Sequence, residues 1–68
     1  MDQDTFNLSI RKFLKMVGIH SQREIEQAVT KALASGAIKG TETFPAAVTL
    51  DVAGLKIHLT FDGEIKLQ

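Results

Sequence analysis

Apolar residues in the first half of the chain recur at helical spacing in two blocks. The first block consists of Phe6, Ile10, Phe13, Leu14 and Val17, and the second of Ile25, Ala28, Val29, Ala32 and Leu33. Each block lies on one face of a 3.6-residue period. The pattern therefore predicts two amphipathic helices in this half of the chain.

Local signals place the ends of these helices. Asp2 or Asp4 can cap the start of the first, at about residue 5, and Gly18 is a natural stop after Val17. Residues 21–24 read Ser-Gln-Arg-Glu, which matches a capping box and predicts the start of the second helix. Gly36 is expected to end it.

After Pro45 the period changes from 3.6 to 2, which indicates strands at about 46–53, 55–61 and 64–68 after a connector over 37–45. A two-residue turn at 53–54 sets Val52 opposite Leu55, with Asp51 then opposite Lys56 and Thr49 opposite His58. A three-residue bulged loop at 61–63 keeps the apolar residues of the last two strands on one face. The prediction is an antiparallel β-meander with one dry face.

These elements together predict an α+β fold. Two N-terminal helices pack on one face of a three-stranded antiparallel β-meander, in the order ααβββ, and residues 1–68 form a single domain.

Composition and charge exclude several classes of function for this chain. Among 68 residues, 44% are hydrophobic, basic and acidic residues number eight each, and there is no cysteine. Balanced charge gives no polyanion-steering field, and the lack of cysteine excludes disulfides, thiolate zinc sites and cysteine nucleophiles. No apolar run approaches the roughly 20 residues that span a bilayer. We expect a cytoplasmic protein without membrane contact and without cofactors.

A helix-turn-helix is the first functional alternative, because residues 13–29 read helix, Gly-Ile turn, polar cap, helix. Arg23 and Lys31 on the second helix would be the nucleic-acid contacts. His20 adds a residue to the usual turn spacing, and the neutral net charge gives little phosphate affinity. A helical hairpin without nucleic-acid binding is the favoured interpretation.

An enzyme site or a metal site would have to use the histidines. His58 lies on the predicted wet face of the sheet, between Thr49 and Lys66, and could transfer protons. A flat sheet face forms no pocket, and no nucleophile accompanies the ring. His20 and His58 have no second ligand at metal-binding spacing. The sequence therefore predicts no enzyme and no metal site.

Partner binding is the leading hypothesis. Leu8 projects from the polar side of the first helix among basic residues, so the predicted partner surface consists of Leu8, Arg11, Lys12 and Lys15. The edge strands at 46–53 and 64–68 could also pair between copies. Such pairing would bury more apolar surface and so stabilise a small domain. The hypothesis is a non-enzymatic binding or assembly module that can form a homodimer, with an unknown protein as the other candidate partner.

Three segments resemble a family of small bacterial proteins that has no assigned activity. They read FNLSIRKFLKMVGIHSQREIEQAV, ASGAIKGTETFPA and FDGEIKL. The similarity extends over nearly the whole chain. It implies a short, stand-alone bacterial cytoplasmic protein, and it supplies no catalytic or ligand-binding residues.

Overall fold

One helix spans the first half of the chain in the computed structural model, which describes residues 1–68. This helix, α1, runs over Gln3–Ser35 without interruption. Asp2 caps its start, since the Asp2 carboxylate accepts hydrogen bonds from the amides of Asp4 and Thr5 at 3.0 and 3.2 Å. Gly36 follows its end at a positive φ of 79°. The predictions of an aspartate cap and of a stop at Gly36 are confirmed.

The predicted break between two helices is wrong. Gly18 and Ser21 lie inside α1, and Gly18 does not have the positive φ of a helix stop. Glycine costs a helix interior about 1 kcal/mol relative to alanine. A break would instead leave up to four carbonyls without helical partners at the new C-terminal end and up to four amides at the new N-terminal end. No proline enforces such a break, so the continuous helix is favoured.

Substitution of Gly18 tests this continuity. We expect Gly18→Ala to stabilise the protein by up to about 1 kcal/mol, because alanine is the better residue in a helix interior. A β-carbon at this position meets no atom within 4 Å. Denaturant unfolding measures the change. A loss of stability instead would indicate a left-handed Gly18 between two helices.

The second half of the chain is one β-hairpin. Strand β1 (Thr43–Val52) pairs antiparallel with strand β2 (Ile57–Lys66), and no third strand is present. β2 continues through residues 61–63, where Ala46 faces Gly63 and Val48 faces Phe61. The alternation of β2 stays in phase through this segment, so no bulged loop is needed. The ααβββ meander is therefore corrected to a helix followed by a hairpin, still an α+β chain.

The turn of the hairpin is longer than predicted. A single 3-10 turn covers Ala53–Leu55, and Lys56 takes a left-handed φ of 56° before β2 begins. A two-residue turn of type I′ would require Ala53 in a left-handed conformation, which is unfavourable for alanine. The register therefore moves by two residues, so that Val52 faces Ile57 and Asp51 faces His58. An even shift leaves the side chains of the paired residues on their predicted faces, whereas Leu55 and Lys56 move from the strand into the turn.

The chain divides into two units, Met1–Ser35 and Gly36–Gln68. No residue in either unit is buried. A lone helix and a two-stranded hairpin have no interior of their own, and both depend on packing for stability.

Candidate functional site

One apolar surface of α1 is a row of eight positions that we call the helix seam. It consists of Phe6, Ile10, Phe13, Val17, Ser21, Ile25, Ala28 and Ala32. The steps of three and four residues keep these positions on one face along about 39 Å of helix. Ser21 is its one polar member, and no charged residue belongs to it. All large members except Val17 are exposed, with Phe13 at 48%.

The second apolar surface covers one side of the hairpin, and we call it the hairpin face. It consists of Phe44, Ala46, Val48, Leu50 and Val52 of β1, opposite Ile65, Gly63, Phe61, Leu59 and Ile57 of β2. Leu59 and Phe61 are 54% and 59% exposed. Val48 is also exposed, whereas the other large side chains of this face are half-buried.

The other side of the hairpin is polar, as predicted. Thr49 Oγ1 and Thr60 Oγ1 are 3.1 Å apart and share a hydrogen bond. His58 Nδ1 lies 3.6 Å from Asp51 Oδ2, and both side chains are mostly exposed. Such an exposed pair contributes little to stability.

The predicted surroundings of His58 are corrected by the register. Asp51 faces His58, whereas Thr49 faces Thr60, and Lys66 faces Thr43 at the far end of the strands. The Asp51 carboxylate can orient the imidazole ring, but no nucleophile completes an acid–base arrangement. No cluster of three or more metal-ligating side chains occurs in the chain.

The connector that precedes β1, within the second unit, is organised by one carboxylate. Glu42 accepts hydrogen bonds from three successive amides, those of Lys39, Gly40 and Thr41, at 2.8–3.0 Å. The Lys39 bond is the main cause that holds the pKa of Glu42 below its ordinary value. This stabilisation is present above the ordinary pKa and is lost as the pH falls through the lowered one. The carboxylate therefore serves the fold of the connector, an arrangement the sequence interpretation missed.

The residues of the predicted partner surface all lie on α1. Leu8, Arg11, Lys12 and Lys15 occupy the side roughly opposite the helix seam, and Leu8 is 52% exposed. Leu8 and Lys12, with Thr5 and Ser9, line a shallow open depression. A depression of this kind encloses no ligand. The role of these four residues in partner binding stays a prediction.

The structure does not contain the helix-turn-helix that the predicted nucleic-acid contacts require. Arg23 and Lys31 lie on the same continuous helix as the first block, so the chain has no helix-turn-helix. Glu24 and Glu26 lie beside them along α1 and offset their charge. Nothing in this arrangement concentrates positive potential.

Comparison with known proteins locates the chain in a family. No helix has the combination of length and apolarity needed to cross a membrane. Neither curated proteins nor solved structures gave a match to this sequence. A family model described as a family of unknown function, DUF6494, matches residues 1–68. The predicted resemblance to an uncharacterised family is confirmed, and the chain belongs to the family of unknown function DUF6494.

Proposed function

We propose that this protein is a non-enzymatic assembly module that works as a homodimer, with the helix seam of one copy covered by that of a second. The observation that carries the proposal is the pair of exposed apolar surfaces in a chain without a buried residue. Contiguous exposed apolar surface in a folded protein marks an interaction site.

Energetics support an apolar partner for the helix seam. Burial of a large aliphatic or aromatic side chain contributes about 1.5–3 kcal/mol. Five large side chains lie in the seam of each copy: Phe6, Ile10, Phe13, Val17 and Ile25. The four largest of these side chains are 39–48% exposed, so about half of this gain is still available on association. The large seam side chains of two copies then contribute about as much as the roughly 4–15 kcal/mol that association costs, which supports a dimer that depends on concentration.

The composition of the seam supports a second copy as the occupant. A membrane surface or an acidic polymer would select basic residues at the margins of the apolar face. Here Arg11, Lys12 and Lys15 lie away from the seam, and Glu24 and Lys31 flank it with opposite charges. An uncharged face with mixed flanks is typical of helix pairing.

Sedimentation equilibrium tests the proposal. We expect a mass of twice the 7.4 kDa of one chain at micromolar concentration. A mass of 7.4 kDa that persists at the highest soluble concentration would contradict the homodimer. Residence in a bacterial cytoplasm stays a prediction beside this proposal, and nucleic-acid binding has no observation that favours it.

A further inference from the structure

The spacing of the helix seam is symmetric. Its eight positions are separated by four, three, four, four, four, three and four residues, which reads the same in both directions with its centre at residue 19. The central run of three four-residue steps is a stutter, which locally unwinds a heptad pattern and keeps the seam on one face. An element with this symmetry presents the same set of positions to a copy of itself that runs in the opposite direction.

Side-chain sizes are complementary about the same centre, with larger residues before residue 19 and smaller ones after it. Reversal about residue 19 brings the following positions level with one another: Phe6 with Ala32, Ile10 with Ala28, Phe13 with Ile25, and Val17 with Ser21. In each pair the N-terminal member is as large as its opposite or larger. In three of the four pairs, a bulky side chain meets a small one. A parallel pair would instead stack Phe6 on Phe6 and Ala32 on Ala32, which leaves the core crowded at one end and thin at the other.

The charge distribution also favours the antiparallel orientation of the two helices. Arg11, Lys12 and Lys15 form the one cluster of like charge on α1. In a parallel pair, the two clusters would lie at the same level. In the reversed pair, each cluster lies on the outer side of the pair, level with residues 23–27 of the other copy, where Arg23, Glu24 and Glu26 together carry one net negative charge. The helix dipoles also oppose one another in this arrangement.

We propose that two copies pair through their helix seams in antiparallel orientation, with the two-fold axis at the level of Ile19. This inference rests on the proposed homodimer and adds its direction and register. In this register Ser35 of one copy lies at the level of residue 3 of the other.

Spin-label distances test the register directly, because the chain has no cysteine and accepts single labels cleanly. The variants are His20→Cys and Ala34→Cys, at helix positions outside the seam. In the antiparallel pair, the two labels at position 20 are offset by only ~3 Å along the axis, and those at position 34 by ~45 Å. A parallel pair would give both variants the same short distance, set by a spacing between helices of about 8–10 Å.

The outcomes separate the two proposals. A short distance at position 20 with a long one at position 34, on samples with dimeric mass, supports the antiparallel register. Two short distances, or a long distance at position 20, in a dimer of correct mass would overturn the register and leave the homodimer standing. A monomeric mass for both the labelled and the unaltered chain, without dipolar coupling, would overturn the homodimer itself.

Discussion

Phe13→Asp is expected to dissociate the protein into monomers and to lower its helix content. Phe13 lies within the helix seam, and a carboxylate there would lose its water on assembly with no cation beside it. We expect the dissociation constant to rise by about a thousandfold or more, because a buried unpaired charge costs several kcal/mol. The helix should then fray, since isolated helices draw little stability from propensity alone. Sedimentation velocity and circular dichroism measure the two effects.

Leu8→Asp is the matched control for this substitution. Leu8 and Phe13 are exposed to a similar degree, at 52% and 48%, but they lie on different sides of α1. We expect Leu8→Asp to keep the dimeric mass and the helix content. Dissociation by Leu8→Asp, with Phe13→Asp remaining dimeric, would instead favour the predicted partner surface of Leu8, Arg11, Lys12 and Lys15.

Leu59→Asp is expected to unfold the hairpin. Leu59 faces Leu50 in the middle of the hairpin face, and a two-stranded sheet is marginal unless such a face is covered. Loss of this apolar cross-strand contact should cost up to about 1 kcal/mol, which is large for a marginal two-stranded sheet. Amide hydrogen exchange should then show that β1 and β2 lose protection.

Thr60→Asp provides the comparison within the same strand. Thr60 lies on the polar side of the hairpin and shares one exposed hydrogen bond with Thr49. We expect protection in β1 and β2 to change little, because this position stays in water. Equal loss of protection in both variants would mean that the hairpin face has no cover and that the alternation does not mark a buried side.

The sequence predicted the faces of the elements better than their ends. Val48, Leu50, Val52, Ile57, Leu59 and Phe61 lie on one side of the hairpin as expected, because alternation reports the side of a strand directly, whereas Leu55 lies in the turn. The turn at Ala53 was wrong by two residues, since several loop lengths preserve the same alternation. Periodicity therefore determined which side chains share a surface and left the register open.

The predicted break between two helices was wrong for a related reason. Gly18 and the Ser21–Glu24 box are local signals, and each is typical of a helix end. The seam positions on either side of Gly18 continue in step, with Val17 four residues before Ser21 and Ile25 four residues after it. That longer pattern agrees with one helix. The two blocks of apolar residues were correctly identified, but their continuity was not recognised.

The candidate site was harder to predict than the fold. The predicted partner surface around Leu8 follows from the expectation that the stronger apolar stripe packs on a sheet within the chain. With no residue buried, that stripe is itself exposed and becomes the candidate interface. Sequence periodicity shows that a face is apolar, but it does not show whether the cover comes from the same chain or from another.

The central claim is that the exposed helix seam is completed by a second copy. Sedimentation equilibrium over a concentration series of the unaltered chain, with circular dichroism on the same samples, tests it most directly. We predict a mass of twice 7.4 kDa that falls on dilution, together with a parallel loss of helix signal. A mass of 7.4 kDa with full helix signal at every concentration would contradict the claim.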